Sequence, residues 1–184
     1  MKMPDFSGKV GKKNRIGAAA GVVIVIVLVL VLVLGSGGDS SNRATEPQIV
    51  GVDALREDVS GENPPVYWAG EQPGAELELS RPGEGRTYVR YLTGGAKAGD
   101  ERPDFLTIGT YVHADPVKAL KRQAQEAAGV LGTAPGNATV YFDRKEPHSV
   151  YLAYPGVEVE IEVYDPNFTR ALQLVNSGQI IPVG

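Results

Sequence analysis

The 184-residue chain has no cysteine. That excludes a disulfide framework, thiol catalysis, cysteine–zinc sites and any lipid anchor attached through a thiol. Histidine is nearly as scarce: His113 and His148 stand far apart in sequence, in segments next to proline that usually serve as exposed spacers. No GxSxG nucleophile motif, P-loop or dinucleotide fingerprint occurs, and Gly83-Glu84-Gly85 reads as a turn. No cofactor and no metal site is expected. Positive charge is short outside the N-terminus: residues 1–15 hold five bases and one acid, the remainder 13 bases and 21 acids, a net charge of −8. An acidic surface argues against nucleic acid and against docking on anionic headgroups, and it favours solubility.

What is present begins with Ile16 to Leu34, an apolar run without charge, amide or hydroxyl. As a helix it covers roughly 28 Å, close to the ~30 Å hydrocarbon core of a bilayer. Lys2, Lys9, Lys12, Lys13 and Arg15 precede it, and no base follows until Arg43. Basic flanks stay on the cytoplasmic side, so the expected topology is single-pass with the N-terminus inside the cell membrane. A cleaved signal peptide is the rival reading, with Val33 and Gly35 small enough for a cleavage site. The run exceeds the ~7–15 residues of such segments. Gly17 and Gly21 match the spacing of helix dimers once, at the inner end.

The domain plan is a basic stub (1–15), a transmembrane helix (16–34), a flexible linker (35–47) and an extracytoplasmic domain (48–184). The linker composition GSGGDSSNRATEP gives a reach of roughly 20 Å. In the domain, a short helix is expected with Asp53 as cap and Leu55 and Val59 inward. Strands follow at 66–69, 75–80, 86–92 and 105–112, the second and third joined by a turn-rich segment. A glycine-rich loop, 93–103, reads as mobile. Asp115-Pro116 opens a helix whose face is Val117, Leu120, Ala124, Ala127 and Leu131, ended by Gly129 and Gly132. Strands at 137–144, 149–154 and 157–164 lead to a second helix, opened by Asp165-Pro166 and stopped by Gly178. The fold class is α+β, an antiparallel sheet with two main helices on one face. The shared order Tyr111…Asp115-Pro116 and Tyr164-Asp165-Pro166 reads either as a βββα duplication or as one helix cap used twice.

At Pro65-Val-Tyr-Trp-Ala-Gly70, Val150-Tyr-Leu-Ala-Tyr-Pro-Gly156 and Val159-Glu-Ile-Glu-Val-Tyr-Asp-Pro166 the chain resembles a group of uncharacterised actinobacterial single-pass membrane proteins with a small extracytoplasmic α+β domain. The likeness covers most of residues 50–180. It implies a bacterial cell envelope and the topology above, and it brings no activity, ligand or catalytic residue.

Two constellations carry candidate chemistry. Glu158, Glu160 and Glu162 share one face of a strand, ~7 Å apart in succession, the spacing of an inverting glycosidase pair. Any Glu-x-Glu strand has that spacing, and the plain reading is a solvated face partnered by Arg or Lys. Tyr67, Trp68, Tyr88 and Tyr151 fall in or beside strands and are candidates for an exposed binding platform, against a core role for the same rings. The expected function is therefore a membrane-anchored, non-catalytic binding domain. An envelope protein or a glycan is the expected partner, and the bilayer holds residues 16–34. The alternatives are an envelope hydrolase using a Glu pair and an accessory subunit assembled through its membrane helix.

Overall fold

The computed structural model describes residues 44–126, 129–145 and 147–184. The basic stub, the apolar run and most of the linker lie outside the described residues. Among those described, no helix is long and apolar enough to cross a membrane.

The α+β class is as expected: the described residues form an eight-stranded antiparallel sheet with three α-helices. In chain order the elements are β1 (Thr45–Val50), α1 (Val52–Asp58), β2 (Tyr67–Trp68), β3 (Glu76–Gly83), β4 (Arg86–Leu92), β5 (Thr107–Val112) and α2 (Pro116–Glu126). There follow β6 (Gly129–Ala134), β7 (Ala138–Asp143), β8 (Ser149–Ala153), β9 (Val159–Tyr164), α3 (Phe168–Asn176) and β10 (Ile181–Pro182). The sheet runs β1-β3-β4-β5-β9-β8-β7-β6, and β2 pairs with β10 in a separate two-stranded ribbon.

Several boundaries differ from the sequence expectation. The linker boundary at residue 47 falls inside β1, which pairs with β3. Its register slips between Thr45 and Gln48, around Pro47, which has no N–H to offer a ladder. The α1 N-cap is Gly51 rather than Asp53. Residues 129–134 are strand, not helix end: β6 pairs with β7 along its whole length, and two glycines are poor material for a helix. Asp115 does open α2, its carbonyl accepting the Ala119 N–H. At α3 the cap is Asn167, whose side chain accepts from Thr169 N, while Asp165 accepts from Asn167 N one step earlier.

One face of the sheet is dry. Leu79, Val89, Ile108, Val150, Val159, Ile161 and Val163 are fully buried there. They pack against Leu55 and Val59 of α1, Ala171, Leu174 and Val175 of α3, and the β2–β10 ribbon with Ile180 and Val183. Each such side chain contributes about 1.5–3 kcal/mol. The other face meets α2, where Leu120 packs with Tyr141, Ala153 and Tyr151. Because neighbouring strand residues point to opposite faces, Val140 and Tyr141 put α3 and α2 on opposite sides. That corrects the expectation of two main helices on one face. The Val/Ile face is already covered by α1, α3 and the ribbon, and the narrow apolar stripe of α2 finds its place on the second face.

The strand order reads alike from both edges, with β5–β9 at its centre. A two-fold normal to the sheet would keep equivalent helices on one face. The helices break that symmetry.

Candidate functional site

The second face carries the polar chemistry. Strand register lines up Ser80, Tyr88, Gly109, Glu162, Tyr151, Tyr141 and Leu131 in one row across the sheet. Glu162 lies near its middle and is only 3% exposed. Three hydroxyls donate to its carboxylate: Tyr111 OH to Oε2, Ser149 Oγ to Oε1 at 2.6 Å and Tyr151 OH to Oε1 at 3.3 Å. Among the described residues no cation pairs with it. A buried carboxylate held by hydroxyls instead of a cation is the arrangement the solvated-face reading missed. The expected Arg or Lys partner is replaced by tyrosines, since Tyr111 stands opposite Glu160 and Gly109 opposite Glu162.

Gly109 makes the cage possible. A Cβ there would stand 2.8 Å from Tyr111 Oη and 2.9 Å from its Cε2, so the ring lies over bare backbone and reaches diagonally to Glu162. Tyr88 meets Tyr111 edge to face, centroids 5.8 Å apart, and Tyr151 leans on Tyr141 at 6.0 Å. Burial and the Glu162 charge hold the Tyr111 and Tyr151 phenols far above their ordinary range, so both remain donors. Glu160, half-buried on the same face, has its carboxyl pushed up to about 7 by burial and then by the Glu162 charge. Glu158 is exposed.

The 93–106 segment closes one side of this face. It is docked, which corrects the expectation of a mobile loop. Gly99 N donates to Glu78 Oε2 at 2.6 Å, Arg90 Nη2 donates to the Asp100 carbonyl at 2.7 Å, and Tyr164 OH donates to the Pro103 carbonyl at 2.7 Å. Beneath it Arg90 and the buried Glu78 pair at 2.7 Å, and Phe105 lies 5.3 Å from both the Arg90 and Arg102 guanidinium carbons. Between this loop and α2, Tyr88, Tyr111, Ser149, Tyr151 and Glu160 stay partly open to solvent.

The four aromatic candidates therefore divide. Tyr88 and Tyr151 share the row just described. Tyr67 and Trp68 are each 4% exposed and belong to the core on the opposite face, so they form no exposed platform. The reason is β2: it leaves the main sheet, and both of its residues are covered, Tyr67 by a stacked Tyr154 ring at 5.6 Å and Trp68 within the core cluster with the Arg56 guanidinium 5.7 Å from its ring. Tyr67 N also donates to Thr110 Oγ1 at 3.0 Å. His113 and His148 are exposed.

A small cavity of about 90 Å³ opens by the β3–β4 turn, between Glu62, Arg81, Arg86, Thr87, Thr110 and Val112. Ligand pockets occupy about 300–1,000 Å³, so this one suits a few waters only. No group of three or more potential metal-binding side chains converges among the described residues.

No protein-family model, no curated protein and no solved structure matches this chain.

Proposed function

We propose that the chain is a membrane-anchored, extracytoplasmic binding domain of the bacterial envelope, non-catalytic, which meets its partner through the tyrosine–glutamate face. The observation that carries this reading is the half-open cluster of Tyr88, Tyr111 and Tyr151 around the hydroxyl-caged Glu162, with Glu160 beside it. The other face of the sheet is consumed by the core. Tyrosines combine apolar area, a polar tip and little entropy loss on binding, as a recognition surface for an envelope protein or a glycan requires. The preformed hydrogen-bond cage spares the cost of ordering those rings at the moment of contact.

A photo-activated phenylalanine analogue placed at Tyr88 or Tyr151 in intact cells tests the reading. Saturable adducts from those two positions, absent from Tyr67 and lost in Glu160→Ala, support it. Equal labelling from Tyr67, or none from any position, overturns it. Anchoring and topology are tested separately: protease added to intact cells should digest residues 48–184, and the mature chain should not begin near Ser36.

One observation favours the hydrolase alternative. Glu160, with its carboxyl near 7, sits on the same strand face as a second carboxylate, which suits a general acid. Turnover of a glycan that disappears in Glu160→Gln would decide for it. The palindromic strand order also supports descent from a duplicated unit, its helices having since taken opposite faces.

A further inference from the structure

Charges on the second face of the sheet are unevenly partnered. The arginines of β4 are both engaged there: Arg86 donates to Glu84 and to the Gly83 carbonyl, and Arg90 pairs with the buried Glu78. Glu160 and Glu162 have no such partner. Among the described residues no salt bridge reaches either carboxylate, and Lys118, Lys121 and Arg122 of α2 are exposed. The donors around the two glutamates are also spent. Tyr111, Ser149 and Tyr151 all turn their protons inward on Glu162, while Tyr88 packs edge to face on Tyr111. What this half-buried cluster offers outward is therefore mainly acceptor oxygen, on Glu160 and the phenols, and aromatic surface.

Resting on the binding role proposed above, we infer that this face takes a lysine or arginine side chain presented by a protein partner. Such a head group carries donors and no acceptor, the complement of a surface whose own donors point inward. A neutral glycan presents hydroxyls that both give and take hydrogen bonds, and its acceptors would go unmatched here. The cation lies beside two carboxylates, and the faces of the tyrosine rings attract it as well. The net charge of −8 beyond residue 15 steers a basic partner towards the domain. Burial already makes Glu160 costly to ionise, and an arriving cation offsets that cost, so recognition is concentrated at this residue.

The test uses the full chain in mild detergent at about 0.15 M salt, which screens long-range attraction. The probes are a fluorescent glycine-rich peptide carrying two lysines, the same peptide with both lysines acetylated, and spermidine. Anisotropy should rise saturably with the first and stay flat with the second, because acetylation removes the charge. Glu160→Gln keeps the shape of the side chain and should weaken binding about tenfold. Tyr88→Leu should weaken it too. Glu57→Gln removes an equal charge from an exposed site on α1 and should leave binding unchanged. Trp68 emission should be the same in all three variants. Equal binding of the acetylated peptide, equal loss in Glu57→Gln, or no saturation up to about 1 mM would overturn the inference. Tighter binding of spermidine than of the peptide would also overturn it, in favour of a free polyamine. These outcomes stand apart from the photo-labelling: adducts at Tyr88 and Tyr151 without a preference for lysine keep the face as a binding surface and remove only its cation.

Discussion

Glu160 and Glu162 differ by two positions in one strand, yet their surroundings separate them. Glu160 gains a proton at about 7, above the ordinary glutamate range, because burial and the Glu162 charge both oppose ionisation. A raised carboxyl means the folded state binds more protons than the unfolded one between those two values. Stability is then greatest at the acid end of that window and falls as pH rises through about 7. Denaturant titrations at pH 5.5 and 8 should show the fall, and Glu160→Gln should abolish it, gaining on the order of 1–2 kcal/mol at pH 8 after allowance for solvent screening. Tyr91 makes a second point at this scale. Its hydroxyl accepts from Ala69 N at 2.7 Å and donates to the Gly70 carbonyl at 3.0 Å, inside the core. Tyr91→Phe should cost about 1–3 kcal/mol in denaturant unfolding by stranding the Ala69 amide. Neither role was legible beforehand: alternation in Val159-Glu-Ile-Glu-Val names two faces but not which polar residue is roofed over.

At the scale of elements, the sequence announced most strands and both main helices, and failed where local pattern and long-range pairing disagree. Leu131 continues the helical spacing of Val117, Leu120 and Ala124, so residues 129–132 read as the end of a helix until β7 is there to pair with them. Gly129 then proves specific: a Cβ would come within 2.1 Å of the Tyr141 ring. Gly129→Ala should destabilise by about 1–3 kcal/mol through displacement of that ring, seen as a lower denaturation midpoint with an unchanged slope. Likewise the 93–106 segment looks like a free loop because its anchors, Glu78 and Arg90, lie in other strands. Replacing Arg90 by Met leaves Glu78 buried without a cation and should cost about 3–5 kcal/mol, with faster proteolysis near Gly99 as the visible sign. Of the four aromatic candidates, alternation could not say that β2 would leave the sheet and take Tyr67 and Trp68 into the core.

For the molecule as a whole, the α+β class followed from the order of patterns, whereas the placement of α2 and α3 on opposite faces depends on which apolar face was already full. The tail closes that face. Ile180 is 2% and Val183 7% exposed, β10 pairs with β2, and Val183 N donates to the Val66 carbonyl. Ending the chain after Gly178 should lower the melting temperature by on the order of 10 °C. It should also shift the emission of the single tryptophan, Trp68, to longer wavelength. The ribbon has a temporal side too. Trp68 is made early and β10, the strand paired with it, follows α3, so the core stays ajar until β10 has been made. Any chaperone or protease that inspects the nascent polypeptide meets an open hydrophobic seam until Ile181 and Pro182 are in place.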